Sequence, residues 1–501
     1  MKRMFNIILL ILTVIMTYSC DEWLYLEPEN GIIREDFWKS KEDVHSAVMG
    51  CYASLLGNTS GTSGYSIPEL LFLWGEIRAD MVLMYRLRTD FFYIMNGDIL
   101  QDNGVCRWNQ FYRTINFCNT VLEYANGVRA IDPSFTAEAL QQYESEVLAL
   151  RALIYFYLTR TFDEVPLILE ATTSDNQKFI LPKSPRGTIL NQLKSDLRKA
   201  EEFAPVSYGD IDSDKGRITR YAINAIQADV YLWCNQYDSC IIACDKIINS
   251  GHFGLVQHDE FWFPTLYGNG NSSEGIFELQ FSQSKLNPYY TMLKTNKYLM
   301  ASPVAIEEFF PFDENIVPDS ADIRGDGASY KSSDYYTIWK YIGKDRDYIR
   351  SQNESDAHFI VYRYAEILLF KAEAFIQLGL TEDALTLIRM IRKRAHASQN
   401  TDIEEGTTDK RSLTDFLLAE RAREFAYEGK RWFDVLRLTK RNGYERKDIM
   451  INMVIRSAPV EKQFTIISKY QDTLSHYLPI FYTELDANPE LIQNPFYAIE
   501  E

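Results

Sequence analysis

Histidine is scarce, six in 501 residues, and none falls in the H-E-x-x-H spacing that sets two zinc ligands on one helix face. His252 and His258 stand six apart, off a single helical face. No G-x-S-x-G elbow, Walker loop or G-x-G-x-x-G occurs, which removes common signatures of serine hydrolysis and of phosphate or dinucleotide binding. No cofactor is implied. Asp210-x-Asp212-x-Asp214 opens like a calcium loop, but Gly216 comes one position late and Tyr221 stands where the closing Glu belongs, so it reads as a solvated acidic turn. Positive charge is also short, with 52 Lys+Arg against 70 Asp+Glu and a formal net charge of -18. That balance argues against a nucleic-acid partner and against electrostatic docking on anionic lipid. Acid pairs for glycoside hydrolysis could be drawn from 70 carboxylates by chance and carry no weight. No apolar run approaches the roughly 20 residues of a spanning helix.

What is present starts at the N-terminus. Lys2 and Arg3 precede an apolar run from Ile7 to Met16, the pattern of a secretory signal peptide. The run ends at Thr17-Tyr18-Ser19-Cys20, which resembles a bacterial lipobox with Thr17 where Leu is usual. Residues 1–19 read as the signal segment and Cys20 as the lipidated first residue of the mature chain; ordinary cleavage would leave Cys20 a free thiol instead. Several acyl chains anchor stably because each buried methylene contributes about 0.8 kcal/mol. Loss of Lys2 and Arg3 takes the formal charge from -18 to -20. Six further cysteines, Cys51, Cys106, Cys118, Cys234, Cys240 and Cys244, read as small buried hydrophobes.

At 46% hydrophobic and 24% charged residues the chain is globular. Helical periodicity recurs over 37–56, 107–126, 136–162, 186–203, 217–249, 359–397 and 412–440, and the clearest strand pattern is 275–281. Val147 to Leu158, Tyr221 to Trp233 and Tyr364 to Leu378 are apolar nearly all round and need cover on several sides. Ala374 to Gly379 followed by Ala384 reads as a tetratricopeptide-type helix-turn-helix, and Ala228 to Leu232 with the helix after Tyr237 as a weaker one. Long polar loops lie between, at 57–67, 84–106, 205–216, 264–274, 283–300 and 313–357, and loops of this length usually carry function.

The most specific string is Glu420-Arg421-Ala422-Arg423-Glu424-Phe425-Ala426-Tyr427-Glu428-Gly429-Lys430-Arg431-Trp432-Phe433-Asp434. Its opposite charges fall at (i, i+3) in four places: Glu420–Arg423, Arg421–Glu424, Glu428–Arg431 and Arg431–Asp434. Gly429 is a helix-stop residue that lets a second helix start at Arg431. The string therefore predicts an ionic knot at a helix-helix corner, with each acid held ionised by an arginine and unsuited to acid-base chemistry. It closely resembles the ER-x-x-E-x-x-x-E-G-x-R-W-x-D motif of the SusD/RagB family of Bacteroidota outer-membrane lipoproteins. Ala149 to Phe156 with Val165-Pro166-Leu167, Gly216 to Thr219, Ser273 to Leu279, Tyr362 to Glu366, and Leu478-Pro479-Ile480 through Gln493-Asn494-Pro495 continue the resemblance. Phe481 and Phe496 replace the usual Pro and Gly near the end.

The resemblance implies a mainly α fold of tetratricopeptide-like helix pairs, an α-α superhelix with long ligand-binding loops and a little β. Residues 20–235 and 270–501 would be the two halves of one structural body. It further implies a cell-surface lipoprotein of the outer membrane that captures oligosaccharide, or in some members peptide, and delivers it to a SusC-like TonB-dependent transporter without chemistry on the ligand. A surface glycoside hydrolase and a purely structural scaffold are the alternatives from other classes. The family's ligand residues vary, so candidates come from the loops, where aromatic rings can stack on sugar C–H faces and polar groups bond hydroxyls. They are Tyr85, Arg88, Tyr93, Asn96, Asp98 and Trp108; Asn287, Tyr289, Tyr290 and Tyr298; Trp262 and Tyr267; and Tyr335, Tyr336 and Trp339.

Overall fold

The structure is a computed structural model, described here for residues 37–57, 64–172, 180–311 and 322–498. The signal run and Cys20 lie outside the described residues. The main helices, in chain order, are α1 (Lys41–Leu55), α2 (Ile67–Glu76), α3 (Thr89–Met95), α4 (Asn109–Val128), α5 (Ala137–Phe162), α6 (Arg186–Phe203), α7 (Ile211–Gly216), α8 (Arg220–Trp233), α9 (Tyr237–Ile248) and α10 (Pro303–Phe309). After them come α11 (Tyr364–Leu378), α12 (Thr381–Ala395), α13 (Lys410–Glu424), α14 (Arg431–Thr439), α15 (Lys447–Ser457), α16 (Val460–Tyr470) and α17 (Tyr482–Ala487). Packing runs α1 on α4, α4 on α5, α5 on α6, α6 on α8, α8 on α9, α9 on α11, and α11 on both α12 and α13. This is the expected tetratricopeptide-like stack. Its two sequence-marked hairpins are present: Gly379, in the left-handed region at φ 80°, turns α11 into α12, and Asn235 at φ 58° turns α8 into α9.

The apolar helices lie at the centre of the stack. From Val147 to Phe162 every residue of α5 is buried, and α8 and α11 are buried along most of their length. Alanines such as Ala149, Ala152, Ala225, Ala228, Ala372 and Ala374 are buried in them, so neighbouring backbones can approach closely. Five of the six described cysteines are buried and all six are free, as small hydrophobes would be. The three longest helical stretches divide at the expected turns, 217–249 into α8 and α9, 412–440 into α13 and α14, and 359–397 into α11 and α12, but the last opens on a strand that was expected to be helix. That strand, Phe359–Arg363, is buried on both faces, so its continuous apolar run could not be told from helix by periodicity. α15 and α16 were not foreseen; Pro459 separates them, and both have mixed surfaces. The acidic turn at Asp210 is the N-cap of α7, its carboxylate accepting from the Ser213 N–H at 2.8 Å.

Six short strands form three antiparallel pairs: β1 (Val82–Met84) with β3 (Leu299–Ala301), β2 (Gly275–Leu279) with β6 (Phe359–Arg363), and β4 (Tyr330–Lys331) with β5 (Thr337–Ile338). At the end of β6 the fully buried Arg363 donates to Glu274 (2.5 Å), to Glu424 (2.6 Å) and to Glu428 (3.0 and 2.9 Å). Arg394 joins Glu274 and Glu424 from α12, while Arg324 reaches Glu420 (2.6 Å) and Glu424 (3.0 Å). The expected knot is therefore real, but three of its four local pairs are not. Only Glu420–Arg423 forms at (i, i+3), at 2.9 Å. Arg421 turns instead to Asp434 and Glu366, Glu428 to Arg363 and Lys340, and Arg431 to Asp80. The helix ends at Glu424, and Tyr427 and Gly429 take left-handed φ of 63° and 73°, so Glu428 and Arg431 do not share a helical face. Arg421 and Arg431 stay in helix with their expected partners but turn to buried carboxylates of other segments. Trp432 is buried under the Arg78 guanidinium, 4.0 Å from its ring centre.

Burial would raise the Glu420 carboxyl, but Arg324, Arg423 and Arg392 more than reverse this and hold it at about 2. Burial acts on Glu428 in the same sense, and Arg363 and Lys340 bring it to about 2 as well. Glu76 behaves oppositely. Its Oε1 accepts from the Gly429 and Lys430 N–H groups at 2.8 and 3.2 Å, yet burial pushes the carboxyl up to about 8. α2 reaches this corner because Gly75 has no side chain: a Cβ there would fall inside the Gly429 carbonyl, and one on Gly429 would lie 2.8 Å from the Leu71 oxygen.

Gly75→Ala should therefore destabilise the fold by about 3 kcal/mol. Gly50→Ala, on α1 with open space around it, should be neutral or stabilise by up to ~1 kcal/mol; urea unfolding of both variants checks the contrast. The carboxyls of this corner contribute two limbs to the pH dependence, and buried His476, its pKa lowered to about 4, offsets the first below about pH 6.5. Glu76 has a folded pKa above its ordinary 4.5, so the folded chain keeps a proton that the unfolded chain loses, and stability falls as pH rises from about 4.5 to about 8. Glu420 and Glu428 are depressed, so their contribution is complete above about 4.5 and is lost as pH falls toward about 2. Glu76→Gln should abolish the upper decline and leave the acid limb in place, read from urea midpoints across the pH range.

Candidate functional site

β1 leaves the α2 corner and pairs with β3 in the register Val82↔Ala301, Leu83↔Met300 and Met84↔Leu299. The pairing extends one step further, the Tyr85 N–H donating to the Tyr298 carbonyl at 2.8 Å. On the other side of β3, the Ala301 N–H donates to the Tyr336 carbonyl at 2.9 Å. Segments 82–86, 297–301 and 334–338, distant in the chain, thus lie side by side. They carry candidates from three separate loops to one place.

At the rim of this ribbon Lys297 sits between two tyrosine rings, its Nζ 4.7 Å from the centre of Tyr85 and 5.3 Å from that of Tyr335. The ammonium donates to the Asp334 carbonyl at 2.8 Å, and Lys294 pairs with the Asp334 carboxylate at 2.6 Å. Burial lowers the Lys297 pKa, with Lys294 acting in the same direction and Asp334 against it. Both rings face water: Tyr85 is 45% exposed and Tyr335 69%. Lys297, Tyr335 and Tyr336 all take left-handed backbone, at φ 44°, 51° and 54°. Three such non-glycine residues around one ribbon concentrate strain where side chains are displayed.

Next to this rim, Arg88 donates from Nε to the Tyr65 hydroxyl at 2.6 Å, and its guanidinium lies 4.6 Å from the Tyr65 ring centre and 4.9 Å from that of Tyr298. The Tyr65 hydroxyl in turn donates to Asp90 at 2.9 Å. Tyr290 and Tyr298 are half-buried. Tyr93 lies edge-on to Phe92, Asn96 donates to the Phe92 carbonyl at 2.7 Å, and Asp98 pairs with Lys469. These three stand on and after α3, tied to that helix or to α16 rather than to the Lys297 rim.

Six candidates are interior and do not display their side chains. Tyr289 is fully buried, its hydroxyl donating to the Pro68 carbonyl at 2.9 Å against the rings of Phe72 and Tyr341. Trp108 packs on Phe162, and Trp262 and Tyr267 pack edge-on to each other, with the Tyr267 hydroxyl donating to Glu428 at 3.1 Å. Trp339 donates to the Asp345 carbonyl at 2.7 Å, and Asn287 donates to the Ala357 carbonyl at 2.8 Å. An aromatic in a long loop has to hold that loop to the body as well as meet solvent, and the string alone does not separate the two uses. Lys297 and Tyr65 were missed; neither stands out in sequence, and only the fold brings them beside the tyrosines.

The rim can stack an apolar ring face and offer an ammonium and hydroxyls around it. Among the described residues no three His, Cys, Asp or Glu side chains converge as a metal site requires. No described helix is long and apolar enough to cross a membrane. Tyr335→Gly removes an exposed ring and relieves left-handed backbone, so it should stabilise the fold by about 1 kcal/mol, measured by urea unfolding.

Comparison with known proteins agrees with this architecture. Residues 274–497 match the SusD family, and residues 75–232 match a family described as starch-binding associating with outer membrane. The SusD-like protein P38 of Formosa agariphila is 26% identical, covering 99% of this chain and all of its relative. A SusD-like protein of Bacteroides ovatus is 23% identical over 85% of this chain and 80% of its own. Among solved structures, a SusD superfamily protein of Bacteroides vulgatus superposes with a TM-score of 0.73 at 20% identity, covering 92% of this chain and all of the other. A SusD-like carbohydrate binding protein of Bacteroides fragilis gives 0.70 at 20% identity over 91% of this chain and all of its own. The two matched segments together span most of the described fold, from the end of α2 through the ionic corner to the last turn, and the chain belongs to the SusD family.

Proposed function

We propose that this protein is a cell-surface lipoprotein, tethered to the outer membrane through Cys20, that captures an oligosaccharide and delivers it to a SusC-like TonB-dependent transporter without chemistry on the ligand. The observation that carries the reading is the Lys297 rim, where the exposed rings of Tyr85 and Tyr335, from loops far apart in sequence, flank one lysine ammonium. Sugar rings present C–H faces that stack on such rings, and rigid aromatics lose little entropy when they do so. Similarity to a family described as starch-binding associating with outer membrane, and to a SusD-like carbohydrate binding protein, supports the same class of ligand. The lipobox-like Ser19-Cys20 junction supports the anchor.

The non-catalytic part of the reading rests on how acids are used. Glu420, Glu424 and Glu428 are sealed against guanidinium groups, and at the Lys297 rim the Asp334 carboxylate is paired with Lys294. Retardation of the protein in gels containing starch or another polysaccharide tests capture. The Tyr85→Ala, Tyr335→Ala double variant should lose about tenfold or more in affinity while unfolding normally, stacking contributing roughly 0.5–1.5 kcal/mol per aromatic contact. Unchanged retardation in that variant would sink the rim as the ligand face, and new reducing ends after long incubation would contradict a purely binding role.

A further inference from the structure

A second open cavity, of about 530 Å³, lies between segments 268–269, 281–283 and 344–358, and shares no lining residue with the Lys297 rim. Its volume is in the range of small-molecule sites. Three features make it a built pocket rather than a surface dip. Arg350, buried, braces its rim: Nε donates to the Gly343 carbonyl at 3.2 Å, and the other donors go to the Gly268 and Glu354 carbonyls and to Asp356. His358, which lines the wall, is fixed from behind by Glu278, whose fully buried carboxylate holds its Nδ1 at 2.8 Å. The Asn271 N–H donates to the same carboxylate oxygen at 3.0 Å. Gly270, at φ 69°, is what admits the pair, since a Cβ there would overlap both the imidazole and the Glu278 carboxylate.

A carboxylate only accepts, so Nδ1 carries the hydrogen, and in the neutral ring Nε2 is left as an oriented acceptor. No described residue engages Nε2. The carboxamides of Asn269 and Gln283 stand on the same wall, also without partners among the described residues, and the Phe281 ring supplies an apolar patch. An imidazole acceptor, two carboxamides that both donate and accept, and one aromatic face are the groups that hold a ring bearing several hydroxyls. The charged groups on the wall balance, Lys344 and Arg350 against Glu354 and Asp356, so no net charge selects an ionised ligand.

We propose that this cavity is a second ligand pocket, taking one neutral monosaccharide unit through His358, Asn269 and Gln283, independently of the Tyr85–Tyr335 rim. The assignment rests on the carbohydrate-binding reading above and extends it to a separate place. Saturation-transfer NMR on the mature chain tests it, using the methyl glycosides of glucose, galactose and mannose as probes, with polysaccharide gel retardation run in parallel. At least one glycoside should bind. Its affinity should fall about tenfold in His358→Ala, Gln283→Ala, as expected when hydrogen bonds are removed, and should be unchanged in Tyr85→Ala, Tyr335→Ala. Gln283→Ala alone, on an exposed side chain, should show a smaller loss and guards against misfolding of the double variant. Binding lost only in the Tyr85→Ala, Tyr335→Ala variant would overturn the second pocket and leave the rim as the ligand face. No glycoside binding by the unsubstituted chain would also overturn it, and retained gel retardation would then show that the carbohydrate reading itself stands. Failure of both measurements would remove that reading together with the pocket.

Discussion

One guanidinium, that of Arg363, closes this structure. It comes at the junction of β6 and α11, is sealed from water, and meets carboxylates from three directions: Glu274 ahead of β2, Glu424 at the end of α13, and Glu428 in the corner that follows. Isolated, any of these charges would be costly to bury. Together, and extended by Arg324, Arg394 and Lys340, they make a network in which every carboxylate is met by at least two cations. Such a network adds little net stability over a well-packed apolar core, but removal of one member leaves the others stranded at a cost of about 3–5 kcal/mol. Its consequence is specificity of arrangement: strand, helix ends and loop bases meet in one way.

The Lys297 rim depends on that corner from both sides. Lys340 bonds Glu428, and the Tyr341 hydroxyl donates to the Tyr427 carbonyl, so the base of the loop displaying Tyr335 is fixed in the network. From the other side, Glu76 caps the Gly429 and Lys430 N–H groups, and Asp80 pairs with Arg431. Those contacts fix the exit of α2, which runs into β1 and Tyr85. The two exposed rings are far apart in sequence, yet each stands a few residues from the same buried charges. The left-handed backbone at Lys297, Tyr335 and Tyr336 fits this arrangement, because strain at a loop tip can persist only where the base is over-determined.

The stacked helices were legible because alanine-rich, all-round apolar segments have few other places to go, and Val147 to Leu158, Tyr221 to Trp233 and Tyr364 to Leu378 all proved central. The ionic corner was legible as chemistry but not as geometry. Opposite charges three apart predict local pairs only where no buried partner from another segment competes. The turn after Glu424 separates Glu428 from Arg431, while Arg421 and Arg431, still in helix with their expected partners, meet carboxylates of α11, α14 and the exit of α2 instead. The exposure of the candidate loop residues was only partly legible. Tyr85 and Tyr335 are displayed, whereas Tyr289, Trp262 and Trp339 bind their own loops to the body. Composition cannot separate these roles, since the same ring serves either one; the difference lies in which backbone carbonyl its polar atom can reach.

Among the described residues, the carboxyl that burial raises furthest makes the argument from the opposite direction. A general acid working near neutrality needs a raised pKa and access to the leaving group. Glu76 has the first, pushed up to about 8 by burial. It lacks the second, being wholly enclosed with Oε1 committed to two backbone N–H groups across the Gly75–Gly429 contact. Its proton is a consequence of tight backbone packing at the corner, and the same closeness that raises its pKa keeps any substrate away from it. Perturbed titration marks functional sites only where a cleft reaches the group. Here the perturbed acid belongs to the scaffold, enclosed at the Gly75–Gly429 contact.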